Sequence, residues 1–248
     1  MKNKFPSLKV ESLKSLFIKE IEAKIISGEL KPGDRLPPER DLASQMGISR
    51  SIINSGILEL AAKGFVAIKP RKGTIVVDYK NEGTAQILAS IMNYNQEKFD
   101  IRLFSGMMDT RLLIEVESAR CAAQNRTDED LKVLKKLLEE IAVKPSGSVC
   151  NFEEFNYQFH HRVTIASGNI VFAMIFKSFE PVCRSLIRIY YETGGMDFQK
   201  KAAIHYERLY MALLDKKSEI AAKSMEDILL HGKNELTRII YTKNSLFP

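Results

Sequence analysis

Apolar residues near the N-terminus recur three or four positions apart: Leu13, Leu16, Phe17, Ile21, Ile25 and Ile26. That spacing predicts an amphipathic helix over 12–27, stopped by Gly28. A turn-rich stretch, Leu30-Lys31-Pro32-Gly33-Asp34-Arg35-Leu36-Pro37, follows. Pro38-Glu39-Arg40-Asp41 then opens a second helix, with proline early and acids in its first turn. This helix ends at Met46-Gly47, and Ser49 is placed to cap a third helix running to Lys63. Two helices joined by a tight glycine turn form a helix-turn-helix pattern. The runs 65–68 and 74–77 read as strands flanking the basic tip Lys69-Pro70-Arg71-Lys72-Gly73, a hairpin wing.

From Gly83 onward strand patterns give way to helical spacing. Helices are predicted at 83–95, 99–124, 128–142, 151–167, 169–192, 198–215 and 218–241, separated by breakers at 144–148, 167–169 and 193–195. Thr127 before Asp128-Glu129-Asp130 is a helix start, and Pro181 should kink or split its helix. The predicted fold class is mainly α: a winged helix-turn-helix over 1–80 and an all-helical antiparallel bundle over 81–248.

Composition narrows the function. The chain has 248 residues, 45% hydrophobic and 27% charged, with 13 Gly, 8 Pro and 3 Cys. That excludes collagen-like and disulfide-scaffold classes. No stretch approaches the roughly 18 apolar residues a membrane span needs, and no secretory signal is legible. Unpaired Cys121, Cys150 and Cys183 suit a reducing cytoplasm. Residues 1–80 hold 15 Lys+Arg against 9 Asp+Glu, and 81–248 hold 22 of each. The whole excess of positive charge lies in the first part, which points to a polyanion partner there.

The stretch 25–77 resembles the DNA-binding domain of GntR-type bacterial transcription regulators. The resemblance is carried by Gly28, Leu30, Pro32-Gly33, Leu36-Pro37, Glu39-Arg40, Leu42-Ala43, Gly47-Ile48-Ser49-Arg50, Leu60, Gly64 and Gly73-Thr74. It implies double-stranded DNA as partner, with Arg40, Ser49, Arg50 and Ser51 contacting phosphates and bases. Arg71, Lys72 and Gly73 would approach the minor groove. The chemistry agrees: arginine reads guanine bidentately, and a helix N-terminus attracts phosphate. Where the family commonly has Arg-Glu-Ala, this chain has Asn54-Ser55-Gly56, which alters the expected operator readout. Gly56 also costs the helix about 1 kcal/mol relative to alanine.

The remainder resembles the FCD effector domain of the FadR subfamily, through Arg111-x3-Glu115, Ala122-Ala123, Phe159-His160, Ala166-Ser167-Gly168-Asn169, Ala212 and Ala221-x3-Met225. Many members hold a divalent metal through one Asp and three His. Here those positions fall at Asn156, His160, Tyr206 and Ile228. His205 and His231 are out of phase by one and three residues. One imidazole and an amide do not make a zinc site, so no metal and no cofactor are expected. The acyl-CoA-responsive members of the subfamily lack those ligands too, and Arg188 and Tyr190 fall where they have Arg and Tyr. The resemblance therefore implies a small acidic effector. Arg184 and Arg188 would counter its charge, and Arg111, Asn156, His160, Tyr190 and Tyr206 would complete the site.

These features describe a homodimeric, ligand-responsive transcription factor on a pseudo-palindromic operator. One reading helix contacts too few bases to be specific alone. The alternatives are a DNA-binding architectural protein without effector, and an enzyme. Against the enzyme, the chain has no nucleotide loop, Gly-x-Ser-x-Gly, His-Glu-x-x-His or CxxC motif.

Overall fold

A computed structural model describes residues 11–94, 101–143 and 149–246. They form two compact units, Met1–Tyr94 and Asn95–Pro248.

In the first unit, Ser12 caps α1 (Leu13–Ile26), its hydroxyl accepting from Ser15 N at 3.1 Å. Helix α2 (Glu39–Met46) carries Glu39 and Asp41 in its first turn and ends on Gly47 at φ +66°. The Ser49 hydroxyl caps α3 (Arg50–Lys63), which ends on Gly64 at φ +95°. Glycine fits both left-handed stops because it has no Cβ to clash. Strands β1 (Val66–Lys69) and β2 (Gly73–Val76) pair antiparallel, with Lys69 opposite Gly73. Phe17, Ile21, Ile25, Leu36, Leu42, Ile53, Ile57, Leu60, Phe65 and Val76 bury one core between the helices and this hairpin.

Gly56, expected only to weaken α3, has a packing role. A Cβ built there would lie 2.3 Å from Phe17 Cδ1 and 2.6 Å from Cε1. The Phe17 ring rests on the α3 backbone, and no larger residue leaves it room.

Two differences from the sequence reading concern the end of this unit. A short helix α4 (Tyr79–Glu82) precedes α5 (Ala85–Tyr94), with Asp78 capping α4. The units divide after Tyr94 rather than near residue 80. Ile87 is buried in the first core and Ile91 packs against it, so α5 belongs with the winged helix.

The second unit contains α6 (Ile101–Asn125), α7 (Asp128–Val143), α8 (Val149–Ala166), α9 (Ile170–Ser178), α10 (Glu180–Leu214) and α11 (Ser218–Leu246). Thr127 and Asp130 close a reciprocal cap on α7: Asp130 N donates to Thr127 Oγ1 at 3.1 Å and Thr127 N to Asp130 Oδ2 at 2.8 Å. Ala119, Ala122, Leu134, Phe159, Val163, Leu209, Leu213, Ala221 and Met225 fill the core between these helices.

The chain breaks before Pro181, as its missing N–H requires, and the proline sits in the first turn of α10. The break expected at 193–195 is absent: α10 runs through Thr193-Gly194-Gly195 to Leu214. Two glycines cost a helix about 1 kcal/mol each. The buried residues on either side, Leu186, Tyr190 and Tyr191 before and Ala202, Tyr206 and Leu209 after, outweigh that. The breaker at 144–148 lies outside the described residues. Among the described residues no helix is long and apolar enough to cross a membrane.

Candidate functional sites: a cationic surface and a buried cavity

On the first unit, Arg40, Ser49, Arg50, Ser51, Arg71 and Lys72 are all exposed. Arg50 opens α3, where free backbone N–H groups already favour an anion. Arg50, Arg71 and Lys72 form no ion pair with a described residue, whereas Arg40 lies 3.6 Å from the Asp41 carboxylate with its side chain 83% exposed. The Ser49 hydroxyl is committed to the cap, 3.4 Å from Ile52 N, and meets the Ser51 hydroxyl at 3.0 Å. Asn54, at the position of the absent arginine, donates to Glu39 Oε1 at 2.9 Å and ties α3 to α2. Arg71 takes a left-handed φ of +62° at the tip, and Gly73 follows at +85°.

The second unit encloses a cavity of about 50 Å³ among α6, α8, α10 and α11. Its apolar walls include Met108, Leu186, Ile187, Leu229 and Leu236, and Arg111, Asn156, His160, Tyr190 and Tyr206 supply polar atoms. Five of the residues expected at the effector site thus share one cavity.

Four of them, Arg111, Asn156, His160 and Tyr206, are joined through Glu115 in a continuous hydrogen-bond chain. Arg111 Nε donates to Glu115 Oε1 at 2.5 Å and its Nη2 to Oε2 at 3.3 Å. His160 Nδ1 bonds the same carboxylate, and His160 Nε2 lies 2.8 Å from Tyr206 Oη. Asn156 Nδ2 donates to Tyr206 Oη at 2.6 Å. One protonation pattern satisfies every link: neutral His160 donates from Nδ1 to the Glu115 carboxylate and accepts at Nε2 from the Tyr206 hydroxyl. Burial lowers the His160 pKa, with Glu115 opposing. Burial would raise Glu115, but Arg111 and His160 overcome it and hold the carboxyl at about 2. Burial keeps the Tyr206 phenol protonated.

The same residues bear on a metal. Asn156, His160, Tyr206 and Ile228 do line one cavity, as the family's ligand positions should. Both His160 nitrogens are taken, and the Tyr206 hydroxyl lies between Asn156 and His160. Among the described residues no three His, Cys, Asp or Glu side chains are grouped to hold a metal ion. The residues present do not fit the family's metal.

Arg184 and Arg188 do not line the cavity, contrary to expectation. Arg184 Nη1 lies 2.7 Å from Glu154 and its Nε 2.9 Å from Glu180, with the guanidinium 4.3 Å over the Tyr157 ring. Arg188 Nε donates to Glu153 at 2.9 Å. Glu153 and Glu154 of α8, with Glu180 of α10 itself, neutralise both, so neither is offered to a ligand in the cavity.

Sequence reasoning also left out residues of the network and of the cavity wall. Glu115 was visible as the second half of Arg111-x3-Glu115, a helical i,i+4 pair, yet it is the centre of the network. His205 and His231 both line the cavity with ring centroids 5.9 Å apart. A cavity wall spans a wide arc of a helix, so neighbours such as His205 and Tyr206 both reach it.

A winged helix whose Arg50, Arg71 and Lys72 pair with no acid among the described residues, joined in one chain to a helical unit with an internal cavity, defines a DNA-binding regulator with a ligand-binding domain. Residues 17–76 match the gntR family of bacterial regulatory proteins and residues 106–231 match the FCD domain. The chain belongs to the GntR family of transcription regulators, with an FCD effector domain, and is not an enzyme. It is 29% identical over 178 residues to a fatty acid metabolism regulator protein of Shewanella denitrificans, 71% of each chain. It is 24% identical over 230 residues to the transcriptional regulator Mce2R of Mycobacterium tuberculosis, 91% of this chain and 92% of that one. Among solved structures, the Listeria monocytogenes regulator Lar shares the fold with a TM-score of 0.66 at 20% identity, over 93% of this chain and 99% of that one.

Proposed function

We propose that this regulator acts in the cytoplasm as a homodimer that binds a pseudo-palindromic operator, and that a small amphipathic effector in the helical unit changes its affinity for that operator. The observation that carries the reading is the cavity itself, apolar walls around one fixed polar network, inside the family's effector domain. About 50 Å³ accommodates roughly four waters. An organic effector must therefore displace the walls, and a ligand that binds one arrangement better than another shifts operator affinity by linkage.

Two winged helices per dimer would read half-sites about one helical turn apart. The apolar lining and the likeness to fatty acid metabolism regulators favour an acyl chain, with its acidic or thioester head beside His205 and His231 rather than at Arg184 and Arg188. Against the effector-free architectural reading stands a cavity that sets Asn156 and His160, though not Arg188, among apolar walls.

The test is calorimetric titration with fatty acyl-CoA and free fatty acids, paired with operator binding in the presence of whichever ligand binds. Saturable binding that shifts operator affinity supports the reading. Ligand binding without a shift, or no binding by either class, refutes it.

A further inference from the structure

Arg35 stood in a turn-rich stretch and belonged to no expected site. The structure pins its backbone to the wing. Gly33 N donates to Val76 O, Val76 N to Asp34 O and Leu36 N to Thr74 O, each at 2.9 Å, and Arg35 bridges Ile75. Residues 33–36 thus run along β2 as a third rung.

The exposed Arg35 side chain lies against Gly73. A Cβ built on Gly73 would stand 2.8 Å from Arg35 Nε and 3.1 Å from Nη2. The glycine leaves the space the guanidinium fills. Lys69 is the cross-strand partner of Gly73, and the exposed tip residues Arg71 and Lys72 precede it in the chain.

Among the described residues none of these four cations has an ion-pair partner. The nearest acid in sequence, Asp34, accepts instead from Lys31 N at 2.8 Å. Four like charges at the wing oppose folding, and a polyanion is the partner that reverses the sign. The pinned backbone removes part of the ordering entropy of the contact in advance.

We propose that Arg35 binds a DNA backbone phosphate beside the wing, positioned by Gly73 and reinforced by Lys69. It lies on the body of the hairpin rather than at its tip, so it fixes the wing on the duplex without reading sequence.

The experiment measures affinity of the full-length protein for a fluorescein-labelled duplex of random sequence across a salt series. Variants are Arg35→Gln, Arg35→Lys and, as a charge control in the helical unit, Lys223→Gln. One lost phosphate contact lowers the slope of log K against log salt by about 0.9, roughly eightfold in affinity at 0.1 M salt. Arg35→Gln should show that loss with an unchanged thermal midpoint, and Arg35→Lys and Lys223→Gln should keep the parental slope. An unchanged slope in Arg35→Gln overturns the proposal, most directly if its thermal midpoint falls, since that result makes Arg35 a packing residue of the wing. Equal slopes in Arg35→Lys and Arg35→Gln also overturn it. The proposal rests on DNA binding by this unit, and a salt-independent parent protein would overturn both.

Discussion

Arg50, Arg71 and Lys72 stand exposed on the winged helix without an acidic partner among the described residues, whereas Arg111, Arg184 and Arg188 in the helical unit are each held by a glutamate. The winged helix presents its charge outward to a partner that brings the opposite sign. The helical unit cancels its charge internally and leaves a neutral, mostly apolar cavity. A charge is therefore evidence of a ligand only after its protein partners are counted.

The largest test of this contrast is at the buried pair. Glu115→Gln leaves Arg111 charged, buried and without its counterion, and breaks the bond from His160. Breaking one side of a buried pair costs about 3–5 kcal/mol. Urea unfolding followed by circular dichroism should show a loss of that size. A loss below about 1 kcal/mol would mean that water reaches the Arg111–Glu115 pair and screens it.

At the other site the effect should fall on binding alone. Arg50→Ala should lose about 1–3 kcal/mol on operator DNA and leave stability unchanged, because Arg50 is exposed and makes no ion pair with a described residue. Gel-shift and thermal melts on the same sample separate the two readouts. A lower melting temperature with intact affinity would place Arg50 with the packing residues.

The two units also differ in how much could be read in advance. The helix boundaries of the winged helix follow from local chemistry, with Ser12 and Ser49 as caps and Gly47 and Gly64 as left-handed stops. Its exposed cations could be read because few tertiary contacts modify them. Arg35 escaped notice because only the pairing of 33–36 with β2 brings it to the wing. In the helical unit the residue set was largely legible from spacing and resemblance, but the partners were not. Glu180 stands four residues before Arg184 on α10 and could have been read from spacing, but Glu153 and Glu154 reach Arg184 and Arg188 through the packing of α8 against α10, and no one-helix pattern reveals that. The continuity of α10 through two glycines was hidden for the same reason.

Gly56→Ala sharpens the point on the winged-helix side. Propensity alone favours alanine by about 1 kcal/mol. The Phe17 ring opposes it, because the new methyl would overlap Cδ1, and overpacking costs about 1–3 kcal/mol. The variant should be destabilised in thermal melts, and a gain in stability would show that the α1–α3 contact yields.

Acid should act on the helical unit. Burial holds His160 and His161 below the ordinary histidine value of 6.5. Below that pH the unfolded chain binds protons that the folded chain refuses, so stability falls as pH drops, by up to about 1.4 kcal/mol per pH unit for each histidine. Glu115 adds a second loss between about 4.5 and about 2, where the unfolded carboxylate protonates first. Urea midpoints measured from pH 7.5 to 5 should decline. A flat profile in that range would mean that both histidines are charged in the folded state.

The smallest expected effect is at Arg188, where the sequence placed an effector contact. Its side chain is 56% exposed, and Glu153 is its acid partner. After Arg188→Ala, Glu153 still has Arg184 Nη1 at 3.7 Å, so no buried carboxylate is stranded. The cost should stay within the range of exposed pairs, about 0–1 kcal/mol. Affinity for an acyl ligand should not change, because Arg188 does not line the cavity, whereas Tyr206→Phe in the cavity wall should weaken it. Titration of both variants with the same ligand makes the comparison direct. A tenfold loss in Arg188→Ala with none in Tyr206→Phe would move the effector to the α8–α10 surface and return the acidic-ligand role to the arginines.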